Sequence, residues 1–437
     1  VNPRWRGAMR WLTPGMRVKR WILLAVSSMG ILVVALLYFL GTDLVRIVYR
    51  MLPTFGRSRY AIMIAVFALG IAGFTFALMR LVRSVARSVS PDTRLKTSTI
   101  IYRRRLLERG PRVVALGGGT GLSNLLRGLK EETSNITAVV TVMDDGGSSG
   151  RLREEIDVLP PGDVRNCILA LAEDETMLSE LFQYRFTAPQ ELAGHSLGNL
   201  VLAGLEQATG GFDRAVEAMS HFLSIRGRVL PATLTKTHLV AVMDDGARVE
   251  GESELATDPR RILRLELSPS PVPPHQEVLE SIASADLILL GPGSLFTSLV
   301  PNLLVEGIAP AIERAPAEKV LVANLMTQPG ETEEFTLRDH LRVLSEYIDL
   351  HCMDAILVNV AAVSESLLTG YIDEAAEPVR DDLSAPNEYG LAIIRADLVG
   401  TAEWGGKNTI KHDPKKLAQI LVHETQAFSA PRRERSD

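Results

Sequence analysis

The sequence predicts a doubly wound α/β fold, a mostly parallel sheet covered by helices on both faces, preceded by two transmembrane helices. Three observations carry this expectation. From Arg112 onward, short apolar runs rich in β-branched residues alternate with helical stretches. Several of those runs stop at Gly, Pro or Asn, as strands do when their carboxyl ends open on loops. Ahead of them, two stretches of twenty residues carry no charge.

Those stretches come first in the chain. They are Trp21–Leu40 (WILLAVSSMGILVVALLYFL) and Tyr60–Met79 (YAIMIAVFALGIAGFTFALM). A twenty-residue helix rises about 30 Å, the thickness of the hydrocarbon core, so each is long enough to span a bilayer. A signal peptide followed by a buried helix is the competing reading, and two such runs nineteen residues apart disfavour it. Lys and Arg number six before the first run, four in Gly41–Arg59 and nine from Arg80 to Arg109. Positive-inside bias then leaves a short loop outside and both termini in the cytoplasm, as in a two-span protein of the cell membrane. The cluster Arg103-Arg104-Arg105 reads equally as a headgroup-binding patch or a solvated linker. Residues 1–109 are therefore assigned to an anchor with a basic linker, 110–428 to the α/β domain, and 429–437 to a disordered tail.

Charge separates the same two parts. Of 47 basic and 52 acidic residues, the first 109 hold 19 and 3, so the remaining 328 carry 28 against 49, a formal charge of −21. That sign excludes a nucleic-acid-binding body. Two cysteines, Cys167 and Cys352, with no CxxC pair, indicate neither a disulfide framework nor a zinc site.

Within the α/β part, Val113–Leu116 reads as the first strand, GGGTGLS as a loop, Ser123–Glu132 as a helix and Ile136–Met143 as the second strand. Leu287–Leu290, Val320–Ala323 and Ala355–Val360 read as later strands. Continuous apolar strands separated by helices are the pattern of a parallel sheet buried on both faces. Pro160 to about Arg228 reads as a helical insertion. Thr235–Leu267, broken by DDGARVEGE, reads as a small antiparallel one. The phrase VMDDG occurs twice, at Val142–Gly146 and Val242–Gly246. The second copy lies between alternating runs and reads as a hairpin turn. The first closes an apolar strand and leads into GGSSGRLREE.

In open parallel sheets, ligands bind beyond the carboxyl ends of the strands. Gly117-Gly118-Gly119-Thr120-Gly121 lets the backbone approach a ligand, with the N–H groups of a following helix available to phosphate. It is neither a Walker A loop nor a good GxGxxG, and a tight turn remains the alternative. Asp144 and Asp145 fall where a dinucleotide fold places the ribose-binding acid, or where two carboxylates hold Mg²⁺ beside a phosphate. Gly146, Ser148 and Ser149 add donors, although a solvated acidic turn explains the same residues. Gly291, Gly293 and Ser294 form a third such loop, with Thr297 one turn on. Asp163, Arg165 and Asn166 open a helix. His195 and Asn199 lie one turn apart in GHSLGNL, while Asn324 and Asn359 end apolar strands. Lys411 and His412 precede the last helix.

The segments VVALGGGTGLSNLLRGLK, VTVMDDGGSSGRLR, PPGDVRNCILALA, HSLGNL, LLGPGSLFTSLVPNLL and KHDPKKLA resemble the gluconeogenesis factor family (YvcK type), relatives of 2-phospho-L-lactate transferase (CofD). The resemblance spans Arg112 to Thr425 and is not expected to extend over the membrane hairpin. It implies a Rossmann-like core and a nucleotide-type ligand. In the gluconeogenesis-factor branch this is UDP-N-acetylglucosamine, bound by a non-catalytic regulator of cell-wall precursor supply and cell shape. In the transferase branch phospholactate passes to a deazaflavin, with Mg²⁺, during synthesis of a deazaflavin coenzyme; Asp144 and Asp145 align with the acceptor-holding segment. Tyr371 and the basic position of KHD resemble the nucleotide-sugar-holding positions. That residue is Lys411 here, a point charge where a bidentate arginine is typical.

Two readings from different classes follow: a membrane-tethered nucleotide-sugar-binding regulator, or a phospholactate transferase. An NAD-dependent oxidoreductase lacks a good GxGxxG, and no Ser-His-Asp or Cys-His arrangement supports hydrolysis. No cofactor beyond Mg²⁺ is indicated. A homo-oligomer is compatible with the sequence, and no protein partner is legible.

Overall fold

This computed structural model describes residues 19–40, 58–89 and 105–424, apart from 174, 256, 364–366, 369, 370, 372–375, 405 and 406. The tail at 429–437 and most of the basic linker lie outside the described residues. The chain divides into two compact units, Val1–Arg104 and Arg105–Asp437.

The first unit holds helices α1 (Lys19–Leu40) and α2 (Ser58–Val89). They meet along small residues: a Cβ on Gly73 would lie 2.8 Å from Ser28 Oγ, and one on Gly70 3.0 Å from the Leu32 side chain. Ser28 and Ala77 are buried in this seam, whereas Leu23 and Leu69 are 71% and 69% exposed. The hairpin is thus apolar on its outside. Helix α2 also runs ten residues past the apolar stretch that was expected to span, through Arg80, Arg83 and Arg87. Among the described residues, no single helix is long and apolar enough to cross a membrane; the apolar helical stretches are Leu23–Val34 and Ile64–Arg80.

The second unit begins with a short helical turn that packs on the body. Leu107 is buried, and its carbonyl accepts the N–H groups of Gly110 and Ser134. Strands β1 (Val113–Gly117), β2 (Ile136–Val140) and β3 (Arg228–Pro231) precede an insertion of β4 (His238–Met243), β5 (Arg248–Glu250) and β6 (Ile262–Ser268). Strands β7 (Leu287–Leu290), β8 (Glu318–Val322), β9 (Ala355–Asn359) and β10 (Ala392–Ala396) follow. The main sheet has the order β10-β9-β8-β7-β1-β2-β3, parallel throughout. Val113 of β1 stands opposite Ile136 on one side and Leu287 on the other.

Successive residues of β1 feed two different cores. Val113 and Ala115 pack with Leu122, Leu125 and Ile168 on one face, and Val114 and Leu116 pack with Ile288, Phe296 and Leu341 on the other. Burial on both faces is why these strands read as unbroken apolar runs. Helices α3 (Gly119–Leu129), α4 (Gly147–Ile156), α5 (Gly162–Leu171), α6 (Glu175–Gln183), α7 (Leu197–Thr209) and α8 (Phe212–Phe222) supply the helical block. The insertion is a separate antiparallel sheet of order β5-β4-β6. The second VMDDG makes its turn: Met243 N–H donates to Ala247 O at 2.8 Å, and Gly246 sits at φ +82°.

Several boundaries differ from the sequence reading. Helix α3 starts at Gly119 rather than Ser123, so the glycines form its first turn. β2 stops at Val140, three residues short of Met143, because the chain turns off the sheet once Thr141 N–H has reached Gly117 O. The edge strands β3 and β10 were not expected. β3 is only four residues long and ends in proline, and β10 carries Arg395, so neither reads as an apolar run. A further hairpin, β11 (Val399–Trp404) with β12 (Lys407–His412), was also unforeseen and carries Lys411.

Candidate ligand crevice

From β1 the chain steps outward to β2 and β3, then returns to β7 on the opposite side of β1. The winding therefore reverses between β1 and β7, and their carboxyl ends open on the switch-point crevice. Both glycine loops lie there in contact. A Cβ on Gly121 would come within 2.5 Å of Pro292 O, and one on Gly118 within 2.7 Å of Asp163 Oδ2 and Thr141 Cγ2. Glycine is required because two loops and a buried carboxyl share the space of one side chain. The crevice has a volume of about 600 Å³, within the range of small-molecule sites.

The crevice brings together about half of the residues that the sequence singled out. Gly118, Gly119, Thr120, Gly121, Asp144, Asp163, Gly293, Ser294, Asn324, Tyr371 and Lys411 all line it. Asn324 Oδ1 accepts the Gly293 N–H at 3.3 Å, and Gln328 Nε2 donates to Ser294 Oγ at 2.6 Å. Tyr371 OH accepts the Ile410 N–H at 2.9 Å, fixing the hairpin that presents Lys411. Gly117 ends β1, where its carbonyl accepts from Thr141 N and Asn302 Nδ2. Gly291, at φ +83°, makes the turn out of β7.

The first aspartate pair divides. Asp144 lines the crevice and its Oδ1 accepts the Gly146 N–H at 2.8 Å. Asp145 is not among the lining residues; its Oδ1 accepts the Ser253 N–H at 2.9 Å, holding the insertion. Of the adjacent pair only Asp144 lines the crevice; the other aspartate of the lining is Asp163, from the first turn of α5. Ser149 bonds the Asp144 carboxylate.

Other expected residues form a buried polar layer instead of the lining. Ser148 Oγ lies 3.0 Å from His195 Nδ1 and accepts Asn199 Nδ2 at 2.9 Å. Arg165 donates to Ser196 Oγ, to Asn199 Oδ1 and, at 2.7 Å, to Asn166 Oδ1. This network ties the PPGDVRN and GHSLGN segments together. Gly146 is the residue before α4. Asn359 is used structurally: its Oδ1 accepts the N–H groups of Ala361 and Leu398, both at 3.1 Å.

Sequence reasoning missed the acidic far wall. Glu252, in a four-residue helix after β5, lines the crevice, and Thr297 hydrogen-bonds it. Glu331 accepts from the Phe296 N–H and from Thr297 and Ser294, yet its Oε2 is buried without a partner. Burial first, and then the neighbouring acids Asp144, Asp163 and Glu331, push the Glu252 carboxyl up to about 9. Burial and Asp144 push Asp163 up to about 7, and burial pushes Glu331 up to about 7. The wall therefore holds protons near neutrality, and its carboxyls can donate hydrogen bonds to a ligand. In the same crevice, burial and then Arg127 lower the Lys411 ammonium. Burial holds His412 down at about 4, so its imidazole is neutral. No sequence signal marks Glu252, which only the tertiary fold carries to the crevice, or Glu331, which stands behind the lining residues Thr297 and Ser294. Among the described residues, no group of three or more His, Cys, Asp or Glu side chains is arranged to hold a metal.

The profile of the family described as 2-phospho-L-lactate transferase CofD matches residues 113–399. The chain belongs to the CofD family. It is 46% identical over 312 residues to the gluconeogenesis factor of Bacillus subtilis, covering 71% of this chain and 97% of that protein. A Nostoc sp. relative bearing the gluconeogenesis-factor name is 41% identical over 429 residues, covering 94% of this chain and 91% of that one. A crystal structure of a Bacillus halodurans protein superposes with a TM-score of 0.69 at 45% identity, over 72% of this chain and all of that one. Within the CofD family the chain thus groups with proteins named gluconeogenesis factors. One expectation is corrected: the likeness does not stop at Arg112, since an alignment over 94% of the chain must take in most of the N-terminal unit.

Proposed function

We propose that this protein is a membrane-anchored regulator that binds a nucleotide sugar of the UDP-N-acetylglucosamine type. The observation that carries the reading is the switch-point crevice, where Gly118–Gly121, at the start of α3, and Lys411 line one cavity of about 600 Å³. A glycine-lined helix N-terminus suits a pyrophosphate, and protonated carboxyls suit sugar or ribose hydroxyls. Asp144 and Asp163 would hold Mg²⁺, with phosphate oxygens and water completing a shell that the protein alone does not close. The ion would offset the charge that the Asp144 carboxylate otherwise sets against an anionic ligand. Calorimetric titration of UDP-N-acetylglucosamine, with and without Mg²⁺, tests the reading. Absence of binding at millimolar ligand refutes it.

The anchoring part rests on the hairpin of α1 and α2, whose seam is built of small residues while its large apolar side chains face outward. This inverted arrangement suits a lipid environment. Helix α1, with 22 residues, is about 33 Å long at 1.5 Å per residue. A reporter joined after Arg109 should be active only as a cytoplasmic marker; activity of a periplasmic reporter there overturns the topology.

The second reading is phospholactate transfer, favoured by the family description and by the convergence of Asp144 and Asp163. Purified protein incubated with deazaflavin acceptor and phospholactate donor should then form product. Binding of the nucleotide sugar without turnover of that pair favours the regulator.

A further inference from the structure

Among the described residues, the main sheet ends at β3, which has a strand neighbour on one side only. Just beyond it, Ala232 N–H donates to Val140 O of β2 at 2.8 Å. Alternate residues of a parallel strand face the neighbouring ladder. Arg228 and Leu230 therefore share the side of Ala232, and Val229 and Pro231 turn their backbone outward. Pro231 agrees with this register, because a proline sits in a strand only where its missing N–H is not needed by the ladder. Val229 is left with an N–H and a C=O, and Pro231 with a C=O, on the open side.

That side forms the floor of a cleft of about 340 Å³ between α8 and the helix Gln276–Ala283. It shares no lining residue with the ligand crevice. Its walls bring three carboxylates, Asp213, Glu217 and Glu277, against one guanidinium, Arg228. Arg228 is already engaged, with Glu277 at 3.0 Å and Ser281 Oγ at 3.1 Å. His221 Nε2 stands 3.8 Å from Glu217. Asp213 and Glu217 leave the cleft net negative. Two further lining groups, Ser220 Oγ and His275 Nδ1, are buried without a hydrogen-bond partner.

An unpaired strand edge, acidic walls and two unused polar atoms call for the same occupant. We propose that this cleft docks a basic, extended peptide segment of a partner protein, which adds to β3 as an eighth strand and seats a Lys or Arg side chain by Asp213 and Glu217. In such strand addition, main-chain hydrogen bonds supply affinity and side-chain pockets supply specificity. The charge pattern selects against acidic segments.

The probe is a fluorescein-labelled peptide of alternating Lys and Val, titrated into the full chain in lipid nanodiscs and followed by anisotropy. Binding should weaken as salt rises and fall about tenfold or more in the Asp213→Lys, Glu217→Lys variant. Peptide should slow hydrogen exchange at Val229 and leave the Gly118–Gly121 amides unchanged. If the Lys variant does not fold, the milder Asp213→Asn, Glu217→Gln pair should still weaken binding about threefold. Equal binding of a Glu-and-Val peptide, unchanged affinity in the charge variants, or exchange protection confined to other segments overturns the proposal. Binding seen only after removal of residues 431–437 also overturns it, because the occupant would then be this chain's own basic end.

Discussion

Replacing Asp144 with Asn keeps the shape of the crevice and removes one of the three carboxyl groups that line it. The Gly146 N–H, 2.8 Å from Oδ1, still finds an acceptor in the amide oxygen, so the loop should hold. Two electrostatic effects then compete. If Asp144 and Asp163 share a cation with ligand phosphates, the lost charged contact costs ~1.5–3 kcal/mol, about 10- to 150-fold in dissociation constant. If an anionic ligand binds without a cation, removing a like charge helps it. After burial, Asp144 is the next cause raising Asp163 to about 7 and Glu252 to about 9, so removing its charge lowers both. The sign of the effect therefore separates the two cases. Titration of UDP-N-acetylglucosamine calorimetrically, in Mg²⁺ and in chelator, measures it; Asp144→Asn should lose affinity in Mg²⁺ and gain it in chelator. Asp145→Asn is the internal contrast. It weakens the 2.9 Å bond from Ser253 N–H, which should cost ~0.5–1.5 kcal/mol of stability and leave affinity within about twofold. Asp244→Asn with Asp245→Asn alters a turn of the insertion, where Asp245 holds Arg260 at 3.1 Å, and should leave affinity unchanged. Wild-type or tighter binding by Asp144→Asn in Mg²⁺, or an equal loss in Asp145→Asn, refutes the reasoning.

Gly121→Ala should force the two glycine loops apart, since its Cβ would lie 2.5 Å from Pro292 O; overpacking of this kind costs ~1–3 kcal/mol in thermal or denaturant unfolding, and ligand affinity should fall with it. Burial pushes Glu206 up to about 7, and its Oε2 has no partner. The folded state therefore holds a proton there that the unfolded chain, with its ordinary carboxyl value near 4.5, releases earlier. Stability from this group is present below that value and is lost as pH rises toward 7. Glu206→Gln should flatten the denaturant midpoint across that window and gain about 1 kcal/mol at pH 7.5, after discounting for solvent screening of a half-buried group. An unchanged pH profile contradicts the assignment. Removal of residues 1–104 should leave a folded unit by circular dichroism with one cooperative transition, because the crystallised relative spans only 72% of this chain. A cut after Arg109 should be less stable, since it deletes buried Leu107.

The sequence by itself determined the class of fold and which glycine loops meet at the carboxyl ends of β1 and β7. Val113–Leu116, Leu287–Leu290 and Ala355–Val360 read as strands because burial on both sheet faces demands unbroken apolar side chains. The glycines at 117–121 and 291–293 read as close-approach loops because no side chain fits between them. These are local consequences of burial and sterics, written into consecutive residues. What only the tertiary structure decided concerns direction and long-range meeting. Asp144 and Asp145 are neighbours of one type, yet one faces the crevice and the other the Ser253 amide, a choice set by the insertion packed more than a hundred residues away. Asp163 and Arg165 likewise divide between the lining and the buried network with Asn199. Glu252 bears no motif and reaches the crevice only by the folding of the insertion, and Glu331 stands behind it by the folding of the chain after β8, bonded to Thr297 and Ser294 of the lining. The edge strands β3 and β10 escaped notice for the converse reason. A strand with one neighbour is not obliged to be apolar along its whole length, so its sequence carries less of the pattern by which strands are read.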